Sequence, residues 1–275
     1  MITKKISCTV LGCTLAAALT LTACGGSGSG SSGSMSTGMG GSSSQTTQNA
    51  AWRTGLGILT KADGEERAGK INTIAAAVLL DAEGKVADVM LDEVELSVTG
   101  DGTGKVTMPG ETLTKRQKGE DYPLAAVSSL KKGWAEQADT FGDFLTGKTP
   151  DEVKKLATDD DGKPKDADLL SGCTIAVDGY RDAVVRACEN AKAVGSARGD
   201  RAVLGVSVRN DTKDLTADDD HDVTAQVDIT VTALTLDADD RVTGAIADVT
   251  EPALTVSADL SLIHISEPTR RSYIS

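Results

Sequence analysis

The chain has 275 residues and a formal net charge of −13, with 41 acidic against 28 basic side chains. An acidic surface repels the phosphate backbone of DNA and RNA, which argues against a nucleic-acid partner. The stretch from about residue 51 to residue 259 is long enough for one large domain or two small domains.

The first residues predict export. Lys4 and Lys5 precede an apolar run from Val10 to Leu21, which is too short to span a bilayer. The "LTAC" that follows resembles the lipobox of bacterial lipoproteins, in which the cysteine is lipidated and becomes the first mature residue. We therefore expect a signal peptide over residues 1–23 and a lipid on Cys24, which anchors the protein at the extracytoplasmic face of the cell membrane. The alternative is a plain secretory signal with an incidental cysteine.

Residues 24–50 are almost entirely small and polar, with no hydrophobic period, and predict a flexible Gly/Ser tether. Beyond it the chain contains an internal repeat. Ala76–Leu96 resembles Thr232–Pro252, and each copy is an apolar, β-branched run broken by an acidic turn, which predicts a β-hairpin. We accordingly expect one domain over residues 51–200 and the start of a second, β-rich repeat over 201–259.

A strand is expected before each hairpin, around Gly55–Thr60 and Arg201–Asn210. Between the hairpins, the segment from Pro123 to Gly147 has apolar residues at helical spacing and predicts one amphipathic helix. A cofactor-stacking role for Trp134 is possible, but core packing is the simpler interpretation. The expected apolar face consists of Val127, Leu130, Trp134, Ala138, Phe141 and Leu145.

The stretch "GKTPDEVKKL" predicts the end of one helix and the start of the next. Gly147 ends the first helix, and Thr149 is the N-cap of the second, with Pro150 at its first position and Glu152 closing a T-x-x-E capping box. These roles explain Gly-Lys-Thr without a phosphate-binding loop, because the earlier glycine of that motif and its preceding strand are missing.

Neither a metal centre nor a set of catalytic residues is predicted. The acidic stretches at 158–168 and 218–222 lack the spacing of an EF-hand and predict solvated loops, with weak adventitious metal binding at the second as the alternative. The sequence identifies no catalytic Ser or Cys to act with His221, so we assign it no catalytic role. Cys173 and Cys188 either pair or remain buried free thiols, and no Cys/His cluster suggests zinc or iron–sulfur.

Residues 168–175 read "DLLSGCTI" and predict a loop that leads into a short strand, "CTIAV", and then a helix, "GYRDAVVRACENAKAV". The order of hairpin, aromatic helix, capped helix, D-x-x-S-G-C-T and alanine-rich helix resembles the FMN-binding domain of bacterial envelope flavoproteins, especially lipoproteins of Gram-positive anaerobes. The resemblance covers about Gly69 to Ala193 and includes the "W-x-x-Q-x-x-x-F" of Trp134, Gln137 and Phe141. The elements together predict an α+β fold, with antiparallel hairpins packed against helices.

In that family a flavin transferase moves FMN from FAD onto the threonine of D-x-x-[ST]-G-A-T as a phosphoester. The resemblance therefore implies covalent FMN on Thr174, with Asp168 at the acidic position and Ser171 and Gly172 in the turn. Cys173 stands where the family has alanine. A second departure is an alanine two positions after the threonine, where a hydroxyl residue is common.

The resemblance implies a membrane-anchored electron carrier. Its redox chemistry would belong to the flavin, so it would need no catalytic acid or base of its own. Its partners would be the flavin transferase and a membrane redox protein. The alternative is a non-redox binding or scaffold lipoprotein of the cell envelope that retains the fold without the flavin.

Residues 260–275, "LSLIHISEPTRRSYIS", differ in composition from the rest and show neither caps nor a strand pattern. The string resembles the conceptual translation of a sequencing adapter. We expect a non-native tail, leave it out of the predicted fold, and expect a natural protein that continues beyond about Asp259 with the rest of the second repeat.

Overall fold

The computed structural model describes residues 51–65, 68–101, 105–212, 216–217 and 221–256, and the backbone of 262–274. The predicted signal peptide, the lipidation site at Cys24 and the tether lie outside these residues. The described strands are β1 Arg53–Glu65, β2 Ala68–Leu80, β3 Val86–Gly100, β4 Val106–Thr107, β5 Arg201–Asn210, β6 Val223–Leu236, β7 Val242–Val256 and β8 Leu262–Ile274. The described α-helices are α1 Lys115–Lys118, α2 Leu124–Val127, α3 Trp134–Leu145, α4 Pro150–Lys154, α5 Ala167–Leu170 and α6 Asp178–Glu189.

The strands form two antiparallel sheets, each in sequence order: β1–β2–β3–β4 and β5–β6–β7–β8. Both predicted hairpins are confirmed, because β2 pairs with β3 and β6 with β7. The repeat extends even to a bulge, which falls between Leu79 and Leu80 in the first copy and between the matching Thr235 and Leu236 in the second. Strands β1 and β5 confirm the two strands expected before the hairpins. The predicted α+β class is confirmed.

Each hairpin turn begins with an aspartate whose carboxylate organises the turn. Asp81 Oδ1 accepts hydrogen bonds from two backbone N–H groups at 3.0 and 2.7 Å, and Asp237 Oδ1 accepts two at 2.9 Å. Gly84, at φ +81°, and Asp240, at φ +61°, occupy the left-handed region that these turns require. Asp159 bonds two backbone N–H groups in the same way, so the acidic stretch after residue 158 begins as a turn.

The two sheets face each other across one hydrophobic core, to which both copies of the repeat contribute. Hydroxyl pairs also bridge the sheets: Thr54 Oγ1 lies 3.4 Å from Thr235 Oγ1, and Thr60 Oγ1 lies 3.5 Å from Thr250 Oγ1. The largest fully buried side chains of this core are Ile71, Leu79, Leu96, Ile229 and Leu254.

Helices pack on the other face of the first sheet and form a second core. Helix α6 approaches β1 closely because β1 carries two glycines at the crossing. A Cβ atom added to Gly57 would lie 2.1 Å from the carbonyl oxygen of Ala183, and one added to Gly55 would lie 2.0 Å from that of Ala187. The glycines therefore set the distance between the helix and the sheet.

The predicted helix between Pro123 and Gly147 is wrong in its first half. Helix α2 ends at Val127, which is 80% exposed, and Lys131 at φ +56° separates it from α3. Ser128 Oγ accepts the backbone N–H of Leu130 at 3.2 Å, which offers the backbone a partner outside a helix. The second half is confirmed by the buried side chains of Trp134, Ala138, Phe141 and Leu145.

The predicted strand over "CTIAV" is also wrong, because this segment is a loop between α5 and α6. Its backbone bonds to nearby loops and helix ends: Cys173 N–H donates to the carbonyl of Leu169 at 2.9 Å, and Val177 N–H donates to that of Gly162 at 2.7 Å. The helix expected next is confirmed as α6. The capping box of Thr149 and Glu152 is confirmed as well.

No strand is predicted within residues 260–275, and this is wrong for most of the segment. Leu262–Ile274 forms β8, which pairs antiparallel with β7. Without it, β7 would be an edge strand with a row of unpaired backbone groups, and such an edge accepts an extended segment through main-chain hydrogen bonds. The non-native origin of the tail and the continuation of the natural chain remain predictions.

None of the helices in the described residues is long and apolar enough to span a membrane.

Candidate functional site

Thr174 lies half-buried in the loop between α5 and α6. Its backbone N–H and its hydroxyl both donate to Oε1 of Gln137, at 2.8 and 3.1 Å. Gln137 is fully buried on α3, and its amide nitrogen donates to Ser128 Oγ at 3.1 Å and to the carbonyl of Lys132 at 3.0 Å. Hydrogen bonds at both ends of this amide fix the threonine loop against α3.

The other predicted site residues have separate local roles. Asp168 is exposed in the first turn of α5, and Ser171 Oγ donates to its carbonyl oxygen at 2.7 Å. Gly172 allows close packing, because a Cβ atom there would lie 2.8 Å from a methyl group of α3. Cys173 is buried in the helical core. The structure therefore places these residues around Thr174, but the hydrogen bonds of Thr174 go to Gln137, not to Asp168.

Cys173 and Cys188 are both buried and both free, which decides between the two alternatives left open by the sequence. Burial raises the pKa of the Cys173 thiol to about 11 and that of Cys188 to about 12. Because the thiolate is the reactive form, these cysteines are packing residues at neutral pH.

A cavity of about 430 Å³ lies beside the threonine loop. Ile175 and Ala176, the two residues that directly follow Thr174, form part of its wall. The volume falls within the range of small-molecule sites, which are mostly apolar with a few polar groups. The apolar and aromatic part of the lining comprises Leu59, Ile74, Tyr122, Leu124, Trp134, Ile175, Ala176 and Tyr180.

A buried ionic network contributes Lys115 and Glu93 to the cavity wall. Lys115 Nζ lies 2.8 Å from Glu93 Oε2 and 3.1 Å from Glu95 Oε1. The side chains of Lys115 and Glu93 are only 8% and 4% exposed. Tyr180 donates its hydroxyl proton to Glu93, and the indole N–H of Trp134 donates to Tyr180 Oη at 3.0 Å.

Trp134 takes the core-packing role, with one part of its surface on the cavity. Its ring meets that of Tyr180 edge-on, with centroids 5.8 Å apart. The ammonium of Lys115 lies 5.1 Å from the ring centre of Tyr122 and 6.0 Å from that of Trp134. A cation over aromatic faces is stabilised further.

The short helix α1 brings Lys115 to the sheet. Thr114 caps it and Gln117 completes the capping box. Asp92 Oδ1 accepts the backbone N–H of Arg116 at 3.1 Å, which fixes α1 against β3. The Thr114 cap and the bond to Asp92 on β3 together fix the position from which Lys115 reaches the cavity.

The network shifts the pKa values of its members. Burial alone would lower the pKa of Lys115, but Glu93 and Glu95 outweigh it, and the pKa is raised. Burial alone would raise the pKa of Glu95, but Lys115 outweighs it, and the pKa is lowered. Burial, and then the charge of Glu93, raise the pKa of Tyr180 well above its usual value. All three shifts favour one state, with Lys115 and Glu95 charged and Tyr180 neutral.

Asn72, one of the residues that line the cavity, has one side-chain atom without a partner. Oδ1 of Asn72 is buried and has no hydrogen-bond partner among the described residues. The oxygen has almost no accessible surface, so it lies beneath the cavity wall and out of reach of a ligand in the cavity.

Sequence reasoning did not identify Asn72, Glu93 or Lys115. The repeat contains a signal for Glu93, because the matching position of the second hairpin is Val249. A hairpin that folds with valine at this position does not need a carboxylate there. A buried charge in only one of two copies therefore points to a role specific to the first copy.

Within the described ranges, no group of three or more His, Cys, Asp or Glu side chains could hold a metal ion. The acidic stretch before His221 includes residues 218–220, which lie outside the described residues.

Comparison of the chain with protein-family models, curated proteins and solved structures finds no match. The site itself must therefore carry any functional proposal. Its residues fit a flavin in one respect, because part of the cavity wall is apolar and aromatic, while the charged part of the wall consists of Lys61, Glu93, Lys115, Asp178 and Asp182.

Proposed function

We propose that the chain is a lipid-anchored protein of the cell envelope that carries FMN covalently on Thr174 and transfers electrons. The supporting observation is the position of Thr174. Thr174 lies on a loop that Gln137 fixes, and the next two residues, Ile175 and Ala176, form part of the cavity wall. A group esterified to Oγ1 would therefore be tethered next to an aromatic-lined cavity.

In the bond-forming step this chain would supply only the hydroxyl, while the exposed Asp168 would be recognised by the transferase as part of the motif. Oγ1 of Thr174 bonds to the FMN phosphorus of FAD, the P–O bond of the pyrophosphate breaks, AMP leaves, and the hydroxyl proton passes to the transferase. No electrons are exchanged in this step. Gln137 Oε1 loses the O–H bond but keeps the N–H bond of Thr174, so the modification leaves no buried acceptor without a partner.

The bound flavin would supply the redox chemistry. The residues of this chain would orient it and exclude water. Gln137 holds the attachment loop, and the aromatic rings of Tyr122 and Trp134 provide apolar walls. Lys115 and its carboxylate partners provide a fixed electrostatic environment, which is the usual contribution of a protein to cofactor chemistry.

A second candidate is a non-redox binding or scaffold lipoprotein. It is favoured by the place of Asp168, which is exposed and makes no hydrogen bond to Thr174. If no transferase uses this motif, Gly172 and Cys173 have only their packing role. Covalent labelling distinguishes the two candidates.

Co-expression with a flavin transferase is expected to add one FMN, read by intact mass and by in-gel flavin fluorescence. Thr174→Val should abolish the label, because valine has the same shape and no hydroxyl. Asp168→Ala should reduce it strongly, and Cys173→Ala should retain it, because that side chain is buried away from the transferase. Thr140→Val, on the neighbouring helix, is the matched control and should label normally.

An unmodified wild-type mass, beside a positive control that labels, would favour the scaffold candidate. Label that persists in Thr174→Val would show that another residue carries the flavin.

The lipid anchor predicts a second result. Cys24→Ala should move the protein from the membrane fraction to the soluble fraction, because a protein without the lipidated cysteine has no lipid anchor. Cys13→Ala, within the predicted signal peptide, should not. Equal recovery of Cys24→Ala and wild type in the membrane fraction would contradict the lipobox interpretation.

A further inference from the structure

We infer that the outer face of the second sheet is a docking surface for an amphipathic helix that carries alanines one turn apart, as α6 does. The occupant is the corresponding helix of the second repeat, in the part of the natural chain that is expected after the second hairpin. The inference rests on the comparison of the two repeats and does not depend on a flavin or on a lipid anchor.

The repeat identifies this face. In the first copy, six residues of β2 and β3 belong to the helical core, on the side of the sheet where α3 and α6 pack. Ala76 and Leu91 are opposite each other in that ladder, and the matching Thr232 and Ala247 are opposite each other in the second. The counterparts of all six in β6 and β7 therefore share one side of the second sheet. They are Thr232, Leu234, Leu236, Val242, Ala245 and Ala247.

These counterparts form an apolar surface without a covering layer from the described residues. All except Thr232 are apolar, yet each of the six retains exposed surface and none belongs to either hydrophobic core. Val242 is 59% exposed and is one of four large apolar side chains that the described residues expose. A contiguous apolar patch of this kind marks an interaction surface, because an apolar sheet face is normally covered by a second layer.

Gly205 marks the point where the helix crosses the sheet. It is the counterpart of Gly57, where an added Cβ atom would lie 2.1 Å from the carbonyl oxygen of Ala183 in α6. Gly205 is exposed, and a Cβ atom there would lie 3.9 Å from its nearest neighbour. A glycine inside a strand weakens the strand and often marks the close approach of another backbone. We assign that role to Gly205, with a backbone from outside the described residues.

The residues of the face determine which helix fits. Helix α6 meets β1 through Ala183 and Ala187, which lie one turn apart and leave room for the backbone of the strand. In the first copy Glu93 on this face accepts the hydroxyl proton of Tyr180 from α6. The second copy has Val249 in place of Glu93, so the docking helix should present an apolar residue where α6 presents tyrosine.

The charges around the face favour an uncharged contact surface on the helix. Arg209 Nη2 lies 2.6 Å from Asp228 Oδ2, and Arg201 Nη2 lies 2.7 Å from Asp240 Oδ1, so the basic residue at each end of β5 is already paired. Between these pairs, the positions of β5, β6 and β7 on this face carry no charge. A charged side chain in the contact surface of the helix would lose its hydration there without gaining a partner.

The probe is a fluorescently labelled peptide of residues 177–192, the helix of the first copy. In this peptide Tyr180→Leu supplies the apolar residue opposite Val249, and Cys188→Ser prevents disulfide formation. Fluorescence anisotropy measures its binding to the full chain at neutral pH. Wild type is expected to bind with a Kd on the order of 10 μM.

Gly205→Ala should weaken binding of the peptide by about tenfold or more, because the added Cβ would meet the backbone of the docked helix. The melting temperature of this variant without peptide should not fall, since the alanine has room in the free protein. Gly110→Ala is the matched control, because a Cβ atom there meets open space, and it should bind as wild type does. Ala183→Leu in the peptide closes the same gap from the helix side and should weaken binding to wild type similarly.

Absence of binding to wild type, or equal binding to wild type and Gly205→Ala, would overturn the inference. Sedimentation velocity should show a monomer, and a dimer that Val242→Asp dissociates would mean that a second copy covers the face instead. Sequencing of the source locus beyond the second hairpin should reveal a helix with alanines four residues apart. A locus without such a helix would refute the assignment of the occupant to this chain.

Discussion

Replacement of Gly57 by alanine is expected to destabilise the protein by about 3 kcal/mol. The added Cβ would lie 2.1 Å from the carbonyl oxygen of Ala183 and 2.7 Å from the backbone nitrogen of Ala187. Both atoms belong to the backbone of α6, so no side-chain rotation can relieve the clash and the helix must move away from β1. Chemical denaturation at neutral pH measures the loss.

The repeat supplies a matched control for this substitution. Gly205 on β5 corresponds to Gly57 on β1. Gly57 pairs with Ala76 and Gly205 pairs with Thr232, and Ala76 and Thr232 are matching positions of the repeat. A Cβ atom added there would lie 3.9 Å from its nearest neighbour, the carbonyl oxygen of Thr232, which is an ordinary van der Waals distance. Gly205→Ala should therefore be neutral or stabilise by about 0.5 kcal/mol through the unfolded state. Equal losses at the two positions would mean that the helix contact is not the reason for Gly57.

Replacement of Lys115 by methionine is expected to cost about 4 kcal/mol, since it leaves a buried carboxylate without its counter-ion. Glu93 is 4% exposed, and Lys115 is its nearest cation at 2.8 Å. Methionine preserves most of the side-chain volume, so the loss reports charge and not packing. Urea unfolding at pH 7 measures it.

Two variants test the cause. Lys118→Met removes a half-buried lysine of the same helix, whose ammonium lies 6.0 Å from the ring of Tyr122, and should cost less than about 1 kcal/mol. Glu93→Gln added to Lys115→Met should recover part of the loss, because the unpaired charge is removed. The electrostatic explanation fails if Lys118→Met is equally damaging.

The same network gives the stability of the wild type a defined alkaline limit. The pKa of Lys115 is raised, so its contribution is complete below the unfolded-state value, about 10.4, and is lost as the pH rises through the folded-state value. Tyr180 acts in the same direction, because its raised pKa makes the folded protein retain a proton that the unfolded chain releases above about pH 10. Glu95, whose pKa is lowered, contributes above its unfolded-state pKa and loses that contribution as the pH falls through the folded-state value.

Local patterns in the sequence predict much of this fold. The hairpin turns follow from Asp81 and Asp237, and the capping box of Thr149 and Glu152 marks α4, because each depends on contacts within a few residues. The helical spacing before Trp134 predicts the wrong structure, since a single hydroxyl, that of Ser128, provides a competing local bond. Spacing alone does not reveal such a competition.

The candidate site could be predicted only in part. Thr174 lies in a recognisable motif, but its partner Gln137 is 37 residues away. Lys115, Glu93 and Tyr180 come from three separate elements, and the sequence does not specify how far apart the elements pack. The difference between Glu93 and its counterpart in the second hairpin was the available signal, and it requires only a comparison of the chain with itself.

The core shared by the two sheets also affects how this chain is made. A ribosome delivers the first sheet, complete at Thr107, well before β6 and β7, which end at Leu236 and Val256. At typical rates of synthesis this interval is on the order of ten seconds. During it the inner face of the first sheet, which includes Ile71 and Leu96, has no partner from this chain and is open to aggregation or to a holding chaperone. Native closure must await the second hairpin, so contacts between residues far apart in sequence should make folding slow compared with that of a helical bundle.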